Sequence, residues 1–416
     1  MSTILLVNPN NRIPLGDLPA IEPPVWLSLM ASHLMEDKYS VSILDAEAEG
    51  LTVEDTVRRV EACNTRDVVL VVMGNSPSVS STPKMVVTEK ILKQLNRDRV
   101  WVTGLHPMAV GHEKLWNWKP TKCLPIHWEL LPMELYRAHN WHCLDGSPRS
   151  PYASIYTSLG CPFNCFYCNI HALYQSREVL YRNYRNVVYE IERLAGDYGV
   201  RNIKIWDELF ASSLKRVSEI FTHLQHNDLN IWAYARVNTV TEPMLEVMKE
   251  AGVTWLAYGF ESKSSEVRNR ANKSFTDKQV TDVIDMTRKH GINIIANIMF
   301  GLPGETEASA METIKWVKEC NFEFVNFSVA LPYPGSKWYE DNKPNMKWSD
   351  YDQHQPNKNS WFAFRDTAFE EYFIGKEYQK MIKEKFGERG LSMIQSMVGG
   401  QYAKLGKAKD ISLHSS

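Results

Sequence analysis

Three cysteines lie close together in the stretch Gly160-Cys161-Pro162-Phe163-Asn164-Cys165-Phe166-Tyr167-Cys168-Asn169. The spacing Cys-x3-Cys-x2-Cys puts three thiolates on one loop, where they can ligate one face of a cuboidal iron–sulfur cluster. Three protein ligands leave the fourth iron free, and an open coordination position distinguishes a reactive metal centre from a closed structural one. The other cysteines stand alone and are predicted to be small buried apolar residues: Cys63, Cys123, Cys143 and Cys320.

Two other interpretations of these cysteines stay open. A structural zinc site would need a fourth ligand, and His171 follows Cys168 by only three residues. Cys165 and Cys168 alone could form a dithiol redox pair, which would leave Cys161 without a role. The spacing differs from that of common zinc knuckles, and it favours the iron–sulfur cluster.

Strand-like and helix-like segments alternate after the cysteine loop. Amphipathic segments separate six short apolar runs that are predicted to be strands: 154–159, Ile203–Asp207, Ile231–Ala235, Trp255–Gly259, Ile294–Phe300 and Val325–Ala330. Six β/α units in about 180 residues fit a partial (β/α)6 version of the TIM-type barrel, whose chemistry lies at the C-terminal ends of the strands. The cysteine loop follows the first strand, at that end.

The cysteine loop and the strand ends together resemble the radical SAM superfamily. The order Gly259-Phe260-Glu261-Ser262 and then Leu331-Pro332-Tyr333-Pro334 is similar to the subgroup that contains cobalamin-binding, methylthiolating and Elp3-like enzymes. The resemblance implies a [4Fe-4S] cluster on Cys161, Cys165 and Cys168, with S-adenosylmethionine chelating the open iron. It also implies an external one-electron donor of the flavodoxin or ferredoxin type.

Residues at the strand ends are the candidates for binding S-adenosylmethionine. By position they match the residues that hold the cosubstrate in the family: Tyr167, Asp207, Glu208, Arg236, Glu261, Gly301 and Pro303. Arginine is suited to bidentate pairing with a carboxylate, and glycine lets the backbone approach an adenosyl group. No residue is identified as a catalytic acid or base.

The segment before the cysteines is predicted to be a second α/β unit. Apolar runs at 4–7, 41–45, 67–74 and 100–104 alternate with helical segments, which favours a doubly wound parallel sheet with ligands beyond the carboxyl ends of its strands. Its loops resemble the N-terminal domain of cobalamin-binding radical SAM proteins. Possible cobalamin contacts are Asn8, Gly74, Ser76, Gly104 and His106. The cobalt-ligating motif Asp-x-His-x-x-Gly is missing, so cobalamin is expected to bind without a histidine ligand.

Four regions are predicted along the chain. They are a cobalamin-binding-like domain at 1–135, a polar linker at 136–153, the radical SAM barrel at 154–340 and a small, mostly helical region at 341–416. A helix over Phe369–Phe386 is expected in the last region.

Composition narrows the class of protein. The chain has 416 residues and a formal net charge of −2, which argues against a strongly basic nucleic-acid-binding protein. No uncharged apolar run reaches the roughly 18–20 residues of a membrane span, and the N-terminus lacks the features of a secretory signal. The chain is therefore predicted to be soluble and cytoplasmic, to have no membrane partner, and to act on a small molecule or natural-product intermediate rather than nucleic acid.

The resemblance implies a reaction, and two alternatives accompany it. The favoured reaction is methylation of an unactivated carbon, in which a 5′-deoxyadenosyl radical abstracts hydrogen and methylcobalamin delivers the methyl group. A second hypothesis drops cobalamin and ends in rearrangement, cyclisation or oxidation. A third is a non-catalytic binding protein built on a barrel with a zinc site.

Overall fold

The computed structural model describes residues 3–11, 20–73, 83–226, 228–353 and 359–404. The N-terminal elements are β1 (Thr3–Asn8), α1 (Val25–Glu36), β2 (Ser40–Asp45), α2 (Val53–Ala62), β3 (Asp67–Val71), α3 (Met85–Leu92), β4 (Val100–Thr103) and α4 (Leu105–Val110). All four strands are parallel, in the order β2-β1-β3-β4. The winding direction reverses between β1 and β3, which is where open α/β sheets bind ligands.

Alternation along β1 explains why this sheet is covered on both faces. Ile4 and Leu6 belong to the core beneath α1, while Leu5 and Val7 belong to a second core beneath α2 and α3. Successive side chains of a strand point to opposite faces, so an unbroken apolar run can fill both cores. The predicted doubly wound sheet is confirmed.

A six-stranded parallel sheet follows. Its elements are β5 (Tyr152–Ile155), β6 (Ser158–Leu159), α5 (Ile170–Tyr174), β7 (Leu180–Tyr181), α6 (Tyr184–Asp197), β8 (Asn202–Ile205), α7 (Leu214–Phe221), β9 (Asn230–Ala235), α8 (Glu242–Glu250), β10 (Val253–Glu261), α9 (Ser265–Arg270), α10 (Asp277–Lys289), β11 (Asn293–Phe300), α11 (Glu307–Cys320) and β12 (Phe324–Val329). The order is β12-β11-β10-β9-β8-β5, and β6 pairs only with β7. This is the predicted partial barrel, open between β12 and β5.

The first barrel strand is shorter than the predicted segment 154–159. Strand β5 ends at Ile155, and the chain turns away before Ser158 begins the antiparallel pair with β7. The cause is the buried carboxylate of Asp207, which accepts hydrogen bonds from the Thr157 backbone N–H and hydroxyl, both at 2.6 Å, and from the Ser158 hydroxyl at 2.6 Å. The prediction of one continuous strand here is wrong.

The segment 136–153 is more than a polar connection. Trp141 is buried, and its ring packs against Trp232, Trp255 and Phe324 at centroid distances of 5.2, 5.5 and 5.4 Å. Trp255 and Phe324 lie at the starts of β10 and β12, so Trp141 closes the N-terminal end of the barrel. The segment is rich in glycine, proline and polar residues, so its sequence did not indicate that Trp141 would be buried in the barrel.

The C-terminal region is helical, with α12 (Lys337–Asn342), α13 (Ser360–Phe373) and α14 (Lys376–Lys404). The predicted single helix Phe369–Phe386 is in fact two, because α13 ends before Gly375; α14 is itself bent at Gly387, whose φ is 73°. Helix α13 packs on β11 and β12 through aromatic contacts such as Phe373 on Phe324. Among the described helices, none combines the length and the apolarity that crossing a bilayer would require.

Candidate active site

A cavity of about 470 Å³ opens at the C-terminal ends of the barrel strands and extends into the barrel. Cys161, Cys165 and Cys168 all contribute to its wall. The rim at the strand ends is polar, whereas the deeper part lies between aromatic rings, among them Trp141 and Trp232. The structure therefore brings the three predicted ligands together at one enclosed site.

The loop that carries the cysteines is held by hydrogen bonds. The Cys168 N–H donates to the Cys165 carbonyl at 3.1 Å, and the Phe166 N–H donates to the Ala271 carbonyl at 3.1 Å. The two ring nitrogens of His171 lie 2.7 Å from the Phe163 carbonyl oxygen and 3.1 Å from that of Ser176. His171 thus contacts the loop through both ring nitrogens and braces it, and the geometry shows no turn of this ring towards the three thiols.

Three thiols on one loop that line the same cavity suit a cube of iron and sulfide. Each protein ligand of such a cluster binds a different iron, so the sulfurs surround the cube instead of converging on one point. In the described ranges, no three His, Cys, Asp or Glu side chains form a group that could hold a single metal ion. Burial raises the pKa of Cys161 to about 11 and that of Cys168 higher still, so ligation must displace protons from both thiols.

Tyr167 and Glu261 meet at the rim beside the cysteines. The Tyr167 hydroxyl donates to Glu261 Oε1 at 2.7 Å, and Lys273 Nζ donates to the same oxygen at 2.5 Å. Glu261 ends β10 with a φ of 64°, a conformation that L-residues seldom adopt. This backbone turn directs the carboxylate into the cavity, so the buried group is paired with a cation yet still borders the open space.

The two adjacent carboxylates after β8 take opposite directions. Glu208 lines the cavity, where it accepts hydrogen bonds from the Gly160 N–H at 2.9 Å and the Tyr174 hydroxyl at 2.7 Å. Burial raises the pKa of Glu208 to about 8 in spite of these donors. Asp207 is not among the cavity residues, because it binds Thr157 and Ser158 instead. Of this predicted pair, the structure places only Glu208 at the site.

The remaining predicted cosubstrate residues divide in the same way. Arg236 is buried and lines the cavity, and its guanidinium lies 4.2 Å from the centre of the Phe163 ring. Gly301 and Pro303 do not line it. Gly301 has a φ of 86° and is covered by Trp361, which a Cβ would approach to 2.8 Å. This glycine serves the packing of α13 against the turn after β11.

Sequence patterns missed a buried ion pair inside the barrel. Lys204 lines the cavity, and its Nζ donates to Glu22 Oε2 at 2.7 Å; Glu22 comes from the N-terminal unit. His139 Nε2 lies 3.1 Å from the other oxygen of Glu22, and the Lys204 ammonium lies 4.7 Å from the centre of the Trp232 ring. A lysine in the middle of the otherwise apolar strand Ile203-Lys204-Ile205 was the one available signal.

The carboxyl edge of the N-terminal sheet holds a second polar group of residues. Asn8 donates to Asp45 Oδ1 at 2.7 Å and accepts from Lys84 Nζ at 2.8 Å, and Lys84 also pairs with Glu47 at 2.7 Å. A cavity of about 30 Å³ lies beside these residues. Gly74 and Ser76, two of the predicted contacts, lie outside the described residues.

The other predicted contacts at this edge are Gly104 and His106. Gly104 passes so close to β3 that a Cβ would lie 2.5 Å from the Val72 carbonyl oxygen, so this glycine is needed for packing. His106 is buried, its Nδ1 has no hydrogen-bond partner, and burial lowers its pKa to about 4. An unpartnered buried nitrogen at the end of a sheet strand is a feature that a ligand would satisfy.

A parallel barrel with three cysteines on the loop after its first strand, and carboxylates along the same rim, defines a radical SAM domain. The family model of the Radical SAM superfamily matches residues 155–317, which span β5 to α11 with the cysteine loop inside. The chain therefore contains a Radical SAM domain over these residues, and domains of this superfamily use a [4Fe-4S] cluster with S-adenosylmethionine.

Individual proteins resemble a longer part of the chain. It is 28% identical over 394 residues to an uncharacterized methyltransferase of Pyrococcus horikoshii, covering 80% of this chain and 82% of that protein. It is 24% identical to the bacteriochlorophyllide d C-8(2)-methyltransferase of Chlorobaculum tepidum, over 59% of this chain and 56% of that one. The solved structure of the radical S-adenosylmethionine methyltransferase TsrM from Kitasatospora setae superposes with a TM-score of 0.61 at 18% identity, covering 82% and 76% of the two chains. That likeness extends the shared fold from the barrel to both units.

Proposed function

We propose that this protein cleaves one molecule of S-adenosylmethionine reductively, so that the resulting radical abstracts hydrogen from a carbon of a small-molecule or natural-product substrate. A second molecule of S-adenosylmethionine supplies the methyl group that replaces this hydrogen, with cobalamin as methyl carrier and the external electron donor as the source of electrons. The observation that carries the proposal is the cavity whose wall contains Cys161, Cys165 and Cys168 and whose rim contains Glu208 and Glu261. The methyltransferase relatives support the choice of methylation over rearrangement, cyclisation or oxidation.

The cysteine loop would bind the cluster, and the rim of the cavity would bind S-adenosylmethionine. The thiolates of Cys161, Cys165 and Cys168 would hold a [4Fe-4S] cluster, which, once reduced by an external electron donor, would supply the electron that splits the sulfonium into methionine and a 5′-deoxyadenosyl radical. The carboxyl groups of Glu208 and Glu261 border the cavity beside this loop. Both offer oxygen acceptors to the ammonium group of the cosubstrate, and a cation placed there would favour the ionised form of Glu208. Trp141 closes the far end of the barrel and keeps bulk water from a reactive carbon radical.

We place cobalamin at the carboxyl edge of the N-terminal sheet, where the winding reverses between β1 and β3. When bound there, this cofactor supplies a transferable methyl group. The buried Nδ1 of His106, which has no hydrogen-bond partner, is the described polar group that such a ligand would satisfy, and Asn8 lies at the same edge, bound to Asp45 and Lys84. We further propose a cytoplasmic location, where thiols stay reduced, and an electron donor of the flavodoxin or ferredoxin type.

Anaerobic reconstitution tests the proposal in two stages. The first stage counts metal, with about four iron and four sulfide per chain expected. The second stage supplies reductant, cobalamin and S-adenosylmethionine carrying a deuterated methyl group to cell extract, and mass spectrometry searches for 5′-deoxyadenosine and a labelled product. Zinc in place of iron overturns the enzyme assignment. Abundant 5′-deoxyadenosine with no labelled product, with or without bound cobalamin, overturns methyl transfer in favour of rearrangement or oxidation.

The neighbouring residues Glu208 and Asp207 provide a matched pair of variants. We expect Glu208→Gln to weaken S-adenosylmethionine binding tenfold or more, about 1.4 kcal/mol, because it removes a carboxyl group that a bound ammonium group would ionise and pair with. Asp207→Asn should leave that affinity nearly unchanged but destabilise the fold by about 1–3 kcal/mol, because the amide N–H2 would face the donors of Thr157 and Ser158. Calorimetric titration and urea unfolding measure the two effects. Equal loss of affinity in both variants would contradict the assignment.

A further inference from the structure

The guanidinium of Arg236 lies against one of the cysteine ligands. Its Nη1 is 3.7 Å from Cys165 Sγ, within the range of a hydrogen bond to sulfur. Its Nε donates to Asn238 Oδ1 at 2.9 Å, which fixes the orientation of the planar group. Only 7% of Arg236 is exposed, and the rings of Phe163 and Phe275 lie 4.2 and 5.8 Å away.

Arg236 and Lys273 are both cations at the rim of the cavity, but only Lys273 is paired with a carboxylate. Lys273 is bound by the Glu261 carboxylate at 2.5 Å, so its charge is largely balanced. Arg236 forms no ion pair with any carboxylate of the described residues, and the acceptors that it contacts are an amide and a thiol sulfur. A buried positive charge without a counter-ion is costly unless a negative group occupies the space beside it. The loaded cluster with its thiolates would be such a group.

We infer that Arg236 sets the reduction potential of the cluster through its contact with Cys165, in addition to any contact with the cosubstrate. Reduction adds one negative charge to the cluster, and hydrogen bonds and positive charge near the sulfurs favour the reduced form. Arg236 would thus act on the cluster indirectly: it contacts the sulfur of a ligand and does not bind iron itself. The inference rests on the proposed cluster.

Redox titration of the full chain, reconstituted anaerobically and studied without S-adenosylmethionine, tests the inference. Arg236→Gln should shift the reduction equilibrium at least tenfold towards the oxidised cluster, which is about 59 mV more negative for a one-electron couple. Arg236→Lys should shift it in the same direction by less, because it keeps the charge and loses the fixed planar donor. If the glutamine variant does not retain iron, the lysine variant alone decides the question.

Arg270 offers a control with the same change of charge. It lies on α9 next to Ala271, which hydrogen-bonds the cysteine loop, but it is exposed and paired with Glu266 at 2.7 Å. Arg270→Gln should leave the potential unchanged, because water screens that charge.

An unaltered potential in the Arg236 variants, or an equal shift in the Arg270 variant, overturns the inference. Weaker S-adenosylmethionine binding with an unaltered potential would instead make Arg236 a ligand of the cosubstrate carboxylate. A wild-type preparation without iron would refute the proposed function itself.

Discussion

Replacing Cys165 by alanine is expected to reduce S-adenosylmethionine cleavage to the level of the buffer control. The remaining thiols of Cys161 and Cys168 can hold only two of the irons, and a cluster with two accessible irons is lost or degraded. The same result is expected for alanine at either of the other two positions. Iron analysis, the visible absorption of the cluster and the yield of 5′-deoxyadenosine measure the effect.

Cys320 supplies the matched control for this experiment. It lies at the end of α11, away from the cysteine loop, and is half-buried like Cys165. Cys320→Ala should keep the full iron content and the full cleavage rate. A Cys165→Ala protein that still carries about four irons and cleaves S-adenosylmethionine would refute the assignment of these three thiols.

Breaking the ion pair between Lys204 and Glu22 is expected to cost about 3–5 kcal/mol of unfolding free energy. Lys204→Met leaves a buried carboxylate with weaker partners, and both side chains are almost completely inaccessible, at 1% and 6% exposure. The pair also joins the N-terminal unit to the barrel, so the variant should loosen their contact. Urea unfolding and limited proteolysis between the units measure the two consequences.

Acid unfolding checks the same pair independently. Burial opposes ionisation of Glu22, but the charge of Lys204 and then the contact with His139 outweigh it and lower the pKa from 4.5 to about 2. A carboxyl group whose folded pKa is lowered stabilises the protein above its unfolded pKa and loses that contribution as the pH falls. Wild-type stability should therefore decline between about pH 4.5 and pH 2, and Glu22→Gln should remove part of this decline.

An exposed ion pair gives the comparison for Lys204. Lys278 pairs with Asp282 at 2.6 Å on the surface of α10, with 82% and 46% of the side chains exposed. Lys278→Met should change the unfolding free energy by less than about 1 kcal/mol. If Lys204→Met and Lys278→Met lower the unfolding free energy equally, the buried pair stabilises the protein no more than an exposed pair does, and the prediction is wrong.

The parallel strands of both units could be predicted because their apolar runs are short, β-branched and separated by amphipathic helices. What could not be predicted was where a tertiary contact overrides the local pattern. The run 154–159 has the pattern of one strand, yet Asp207 binds Thr157 and Ser158 and turns the chain after Ile155. Likewise Trp141 enters the barrel from a stretch whose composition is that of a loop.

The cysteine loop could be found from the sequence because ligand spacing within one loop is a local property. Which of the two carboxylates, Asp207 or Glu208, lines the cavity could not be predicted. Adjacent residues of an extended chain point in opposite directions, and no local pattern indicates which one faces the cavity. The pair of Lys204 and Glu22 joins positions 182 residues apart, and no periodicity reports a contact over that distance.

The most direct test of the central claim is electron paramagnetic resonance of the reduced protein with S-adenosylmethionine labelled with nitrogen-15 in its amino group. We expect a [4Fe-4S] signal that changes when the cosubstrate is added and shows coupling to the labelled nitrogen, because the fourth iron is open to it. A cluster signal that the cosubstrate leaves unchanged, or a protein that contains zinc and gives no signal, would contradict a cluster with one iron open to S-adenosylmethionine.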